Sequence, residues 1–116
     1  MMKKKTAFIV GASGITGGNL ISFLDGEEWE EVVAAGTRPS LPDWITSNLS
    51  GKSPRIEYLQ LDAHDLALCR NKLDRFRDRF THLFYTAWVK KEDPKEEEDY
   101  NVRMFENILS TGWGLV

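Results

Sequence analysis

Disulfide chemistry is excluded within this chain. Its 116 residues hold one cysteine, Cys69, so no internal bridge can form, and a reducing compartment, the cytosol, is the expected setting. Long apolar runs are missing as well. The opening MMKKK carries the charge of a signal n-region, but only Thr6–Val10 follows as an apolar segment before glycines end it. That is too short for a signal peptide or a membrane span. Positive charge is not in excess: a net charge of −3 and a pI near 5.4 argue against nucleic acid as a partner. Repeats, low-complexity tracts and Pro/Ser-rich linkers are absent, and the length allows one domain over residues 1–116 with one modest core. His64 and His82 stand without triad or metal-ligand spacing, and read as a helix-start residue and a strand-edge residue. No metal site is expected.

What is present is an alternation of two periodicities. Lys5–Val10 is a continuous apolar run with β-branched and aromatic content, as in a strand covered on both faces. Leu20, Ile21 and Leu24 then recur at helical spacing, and Asp25-Gly26 offers a stop. Glu31–Gly36 reads as a second buried strand. Thr37–Gly51, rich in Pro, Ser and Asn, reads as loop with a short helical turn around Trp44. Arg55–Leu61 alternates, with Ile56, Tyr58 and Gln60 on one face and Leu59 and Leu61 on the other. Leu66, Cys69, Leu73, Phe76 and Phe80 step by three and four, which predicts an amphipathic helix capped by Asp62 or Asp65, with Cys69 as a packing residue. His82–Ala87 is the fourth strand. Pro94 opens a last helix with Glu96, Glu97 and Glu98 in its electropositive first turn and a buried stripe of Val102, Phe105, Ile108 and Leu109. The order β-α-β-(α)-β-α-β-α predicts an α/β fold, a doubly wound parallel sheet with strand order 3-2-1-4.

Between the first strand and first helix stands Gly11-x-x-Gly14-x-x-Gly17. Gly11 permits a tight turn, Gly14 lets a pyrophosphate approach main-chain N–H groups, and Gly17 lets the helix lie close to the strand. The N–H groups and dipole of the helix start then stabilise phosphate charge. A flexible turn is the alternative; the strand before and the helix after favour ligand binding. In NAD-binding units a carboxylate about 20 residues beyond the loop accepts the ribose 2′-hydroxyl. Here the second strand ends in Gly36-Thr37-Arg38, with no acid. Arg38 can pair with a 2′-phosphate and Thr37 can add a hydroxyl donor, so NADP(H) is preferred over NAD(H); an ordinary solvated arginine is the alternative. Asp62 suits either the adenine amino group or a helix cap.

With these residues assembled, the chain resembles the N-terminal part of an extended short-chain dehydrogenase/reductase. GxxGxxG and Asp62-x-x-Asp65 are general to that superfamily. GASGITGGNL, Thr37-Arg38-Pro39, THLFYTAW (Thr81–Trp88) and NVRMFENIL (Asn101–Leu109) resemble, more narrowly, the progesterone 5β-reductase/iridoid synthase family. Its members use NADPH to reduce activated enones. They often show Ala-Arg-Arg-Pro after the second strand, and only the second arginine is present here. The resemblance implies an NAD(P)-binding Rossmann-like fold in which Gly11, Ser13, Gly14, Ile15, Thr16 and Gly17 hold the pyrophosphate. Thr37 and Arg38 face the adenosine phosphate, and Asp62 and Ala63 line the adenine. Thr86, Ala87 and Trp88 follow the fourth strand at the topological switch, with Trp88 on the nicotinamide side or else packed under a loop. Asn101 matches a helix asparagine with a structural or proton-relay part; a solvent-facing asparagine is the alternative.

Enone reduction also needs a donor for the developing enolate, usually a tyrosine with a nearby lysine. Four residues past Tyr58, Tyr85 and Tyr100 stand Asp62, Val89 and Met104, so no Tyr-x-x-x-Lys occurs, and no catalytic residue is assigned. Lys90 and Lys91 read as solvated. STGWGLV departs from the entry into a fifth strand that the family would show, and reads as a truncation before the catalytic region. A cofactor-binding part that is inactive alone is therefore expected, with an enone substrate only if a C-terminal part is supplied. A dinucleotide sensor or interaction module, or a truncated product that self-associates through its open sheet edge, are the alternatives.

Overall fold

The computed structural model describes residues 5–24, 29–47, 49 and 55–113. The Asp25-Gly26 helix stop lies outside the described residues, and so does the side chain of Trp113. Contacts divide the chain into two compact units, Met1–Gln60 with Phe80–Ala87, and Leu61–Arg79 with Trp88–Val116.

The first unit holds the sheet. Strands β1 (Thr6–Val10), β2 (Glu31–Gly36), β3 (Arg55–Gln60) and β4 (His82–Tyr85) are all parallel, in the order β3-β2-β1-β4. This is the order expected from the alternation of elements. All residues of β1 and β2 are buried, which explains why their sequences run apolar without alternation. On one side Ala7, Ile9, Val32 and Ala34 form a core with Ile21 and Leu24 of α1 (Ile15–Leu24), Trp29, and Ile45 of the short helix α2 (Asp43–Thr46). Each large apolar side chain so enclosed is worth about 1.5–3 kcal/mol. Phe8, pointing the other way, stacks on Phe80 with ring centroids 4.5 Å apart. Trp29 is buried as an edge-on neighbour of His82 and Phe84, at 4.9 and 6.0 Å. β4 pairs on one side with β1 and is the last strand of the sheet among the described residues.

The second unit holds α3 (Leu66–Leu73), a 3-10 turn (Asp74–Phe76), and α4 (Pro94–Ile108), which continues as a π-helical turn (Leu109–Trp113). Asp65 is the N-cap of α3, accepting from the Leu68 N–H at 3.0 Å. Asp62 instead accepts from the His64 N–H at 3.0 Å. The helix is shorter than its apolar periodicity predicts. It tightens after Leu73, and Asp78 takes a left-handed φ of 65°, so Phe80 lies beyond it. Asp93 caps α4 through the Glu96 N–H at 3.2 Å, with Pro94 and the acidic first turn as expected.

The expected stripe of α4 is corrected. Val102 and Phe105 are exposed, whereas Asn101, Met104, Asn107 and Ile108 are buried. The two asparagines take the inward face because each satisfies backbone groups that no apolar residue could. Asn107 Nδ2 donates to the carbonyls of Ala63 and His64, at 3.0 and 3.2 Å. Asn101 is thus not solvent-facing. No helix among the described residues is long and apolar enough to cross a membrane.

Candidate functional site

In the first unit the loop from β1 to α1 is built by backbone geometry. Gly11 has φ +88°, and a Cβ there would sit 2.7 Å from Thr86 Oγ1 and 2.8 Å from the Ala87 nitrogen. Its N–H and that of Ala12 both donate to the Ala35 carbonyl at 2.9 Å, which locks the loop onto the end of β2. These two amides are therefore spent within the protein. Gly17 packs against the Gly11 carbonyl so tightly that a Cβ would overlap it. The close helix approach expected of Gly17 is real. The helical ladder begins with Gly18 N–H donating to the Gly14 carbonyl at 2.8 Å, which leaves the first-turn amides of Ile15, Thr16 and Gly17 ahead of it.

Gly14 differs from its neighbours. A Cβ there would meet only the Gly11 carbonyl, at an ordinary 3.5 Å, and the residue is exposed beside exposed Ile15 and Thr16. Neither backbone conformation nor packing among the described residues requires glycine at this position.

The end of β2 faces the same loop. A Cβ on Gly36 would lie 2.7 Å from Ser13 Oγ and 2.9 Å from the Tyr58 hydroxyl. Beyond it Thr37 and Arg38 are exposed, and the Arg38 guanidinium has no carboxylate partner among the described residues. Their carbonyls are held from β3: the Tyr58 hydroxyl donates to Arg38 O at 2.7 Å and Gln60 Nε2 donates to Thr37 O at 3.1 Å. Tyr58 and Gln60 were legible only as members of one β-face. Their donor groups, two residues apart on β3 and paired with Ala34 and Gly36 of β2, were the available signal. At the end of β4, Thr86 Oγ1 donates to Val10 O at 2.8 Å and approaches Gly11 O at 3.3 Å, so this hydroxyl ties two strand ends together. Ser13, Gly14, Thr37, Arg38, Thr86 and Ala87 all lie at the carboxyl ends of the strands, where open α/β sheets bind their ligands.

In the second unit, Asp62 is exposed and Ala63 is buried, with the Ala63 carbonyl held by Asn107. Trp88 is 64% exposed, so packing under a loop does not describe it. Its indole N–H donates to Glu97 Oε2 at 3.1 Å. Glu97 Oε1 also accepts from the Lys91 N–H at 2.9 Å and pairs with Lys90 Nζ at 3.3 Å. The Lys91 hydrogen bond is the main cause holding the Glu97 carboxyl below its ordinary range. Lys91 lies over the Tyr100 ring, whose other contact is a stack with His64 at 3.9 Å. Cys69 is buried, and desolvation, followed by the nearby Asp62 and Asp65 charges, pushes its thiol up to about 11. It packs and is no nucleophile at neutral pH.

No protein-family model matches the chain. Among curated proteins it is 34% identical over 113 residues to (S)-8-oxocitronellyl enol synthase of Catharanthus roseus, covering 93% of this chain and 26% of that protein. It is 32% identical over 111 residues to 3-oxo-Delta(4,5)-steroid 5-beta-reductase of Arabidopsis thaliana, covering 91% of this chain and 26% of the relative. The chain thus spans about a quarter of the length of the curated relatives it matches. Among solved structures it superposes on a short-chain dehydrogenase/reductase from Serratia marcescens with a TM-score of 0.70 at 19% identity, covering 93% of this chain and 49% of the other. A short-chain dehydrogenase from Burkholderia cenocepacia, solved in complex with NADP, gives a TM-score of 0.69 at 19% identity, covering 95% and 47%. The chain has a partial Rossmann-like fold and is similar to the N-terminal part of progesterone 5β-reductase/iridoid synthase relatives of the short-chain dehydrogenase/reductase type.

Proposed function

We propose that this chain binds NADP(H), in preference to NAD(H), as the cofactor-binding part of a reductase of enone carbon–carbon double bonds. The observation that carries the reading is Gly14. A position that tolerates a Cβ among the described residues, yet lies exposed beside the first-turn amides of Ile15, Thr16 and Gly17, which have no backbone acceptor among the described residues, answers to something that approaches from outside. A pyrophosphate fits that demand, because the first-turn N–H groups and the helix dipole offer it donors and positive potential. In this reading Ser13, Gly14, Ile15, Thr16 and Gly17 surround the pyrophosphate, and Gly11 shapes the turn. Thr37 and Arg38, whose guanidinium has no carboxylate partner among the described residues, take the 2′-phosphate. Thr86 and Ala87 serve the nicotinamide side.

NADPH, once bound, supplies the hydride for the reduction. The chain's own residues bind and orient it, and none of its tyrosines has a lysine four residues on to protonate an enolate. A substrate therefore requires further residues, and this chain alone is proposed to be inactive. Calorimetric titration with NADPH tests the reading: saturable heat is expected, and no heat at high micromolar cofactor would remove it. Arg38→Ala should weaken NADPH more than NADH.

A further inference from the structure

One hydroxyl fixes the turn assigned above to the 2′-phosphate. The Tyr58 phenol donates to the Arg38 carbonyl at 2.7 Å, and the Ser13 side chain lies near it across Gly36. The missing side chain of Gly36 makes room for both, since a Cβ would press on Ser13 Oγ and on the Tyr58 hydroxyl. Gln60, on the same face of β3, holds the adjoining Thr37 carbonyl at 3.1 Å. The ring of Tyr58 packs against the core cluster, so the phenol has a fixed base. Burial raises its ionisation above the ordinary tyrosine range, opposed by Ser13 and Arg38, and the proton stays available for the Arg38 carbonyl.

We infer that Tyr58 is a positioning residue for cofactor discrimination: by tethering the Thr37–Arg38 turn to β3, it holds the Arg38 guanidinium where a 2′-phosphate arrives. The inference rests on the dinucleotide reading above and adds a specificity element to it. Arg38 is exposed, and an untethered arginine would spread its charge over many conformers. Pinning the backbone on either side of it, at Thr37 O and Arg38 O, reduces that spread. NADH has no group at this position, so the tether should leave its binding untouched.

The test compares NADPH and NADH binding by calorimetry in the parent chain, Tyr58→Phe, Gln60→Leu, Arg38→Ala and Tyr58→Phe/Arg38→Ala. Phenylalanine keeps the packed ring and removes only the hydroxyl. Tyr58→Phe is expected to weaken NADPH about fivefold, the scale of one hydrogen bond, and to leave NADH unchanged. On top of Arg38→Ala it should cost nothing further, because it acts through that side chain. Gln60→Leu should lower the NADPH-to-NADH ratio in the same direction, and it carries the test if Tyr58→Phe does not fold by circular dichroism. Equal losses for both cofactors, or additive losses in the double variant, overturn the inference. If Arg38→Ala shifts the ratio while Tyr58→Phe and Gln60→Leu do not, this inference fails alone. If the parent chain binds neither cofactor, it fails together with the dinucleotide reading.

Discussion

Asn101 pairs with Val89 as a neighbouring strand would. Its Oδ1 accepts from the Val89 N–H at 2.8 Å and its Nδ2 donates to the Val89 carbonyl at 2.8 Å. The same Nδ2 reaches the Glu97 carbonyl at 2.7 Å. A side chain on α4 thereby substitutes for backbone partners that an irregular segment lacks. Asn101→Ala would strand two backbone groups and should cost about 2–4 kcal/mol, the scale of two hydrogen bonds with partly buried partners. Denaturant unfolding checks this; a loss below 0.5 kcal/mol would contradict the structural role.

The glycines of the β1–α1 loop separate by consequence. Gly17→Ala forces a methyl onto the Gly11 carbonyl and should lower the melting temperature markedly. Gly14→Ala meets ordinary contact distances, so stability should change by less than about 0.5 kcal/mol. NADPH affinity should nevertheless fall in Gly14→Ala, as the methyl stands where the pyrophosphate approaches. Thermal melts with and without NADPH distinguish the two variants.

Cys69 gives a pH signature. Its thiol is raised from 9.0 to about 11 by burial, with Asp62 and Asp65 adding to it. The unfolded chain therefore loses this proton before the folded one does, and the associated stability is full below pH 9 and drains away as pH rises through about 11. Iodoacetamide labelling at pH 8 should be slow in the native protein and fast in denaturant. Equal rates would contradict a closed, protonated thiol.

Glu97 titrates in the opposite sense. Its carboxyl is held below the ordinary range chiefly by the Lys91 N–H, so its contribution is present above pH 4.5 and is lost as pH falls through the lowered value. Glu97→Ala removes the acceptor for Lys91 N–H and Trp88 Nε1 together. Faster hydrogen exchange at Lys91 is expected. Unchanged exchange would show that Asn101 suffices to hold the segment.

How far these features were legible depended on what each residue is buried for. β2 was found to the residue, because Val32–Ala35 are enclosed on both faces and apolarity reports enclosure directly. The face of α4 was misread, since Asn101 and Asn107 are buried to satisfy backbone groups far away in sequence, which hydrophobic spacing cannot register. α3 was overextended because Phe80 keeps the helical spacing although Asp78 has already turned the chain. At the site, the glycine spacing and Arg38 were visible as local motifs. Tyr58 was not, because its partner is the Arg38 carbonyl 20 residues away, which only the folded sheet brings within reach.

The most direct measurement is a two-dimensional amide NMR titration of the purified chain with NADPH. If a pyrophosphate sits on the helix start, the largest shifts fall on the N–H resonances of Ser13 through Gly17, with Arg38 Nε following and Gly11 and Ala12 still protected by Ala35. Saturating NADPH that leaves Gly14, Ile15 and Thr16 unmoved, or that shifts only residues elsewhere, would contradict the proposed cradle.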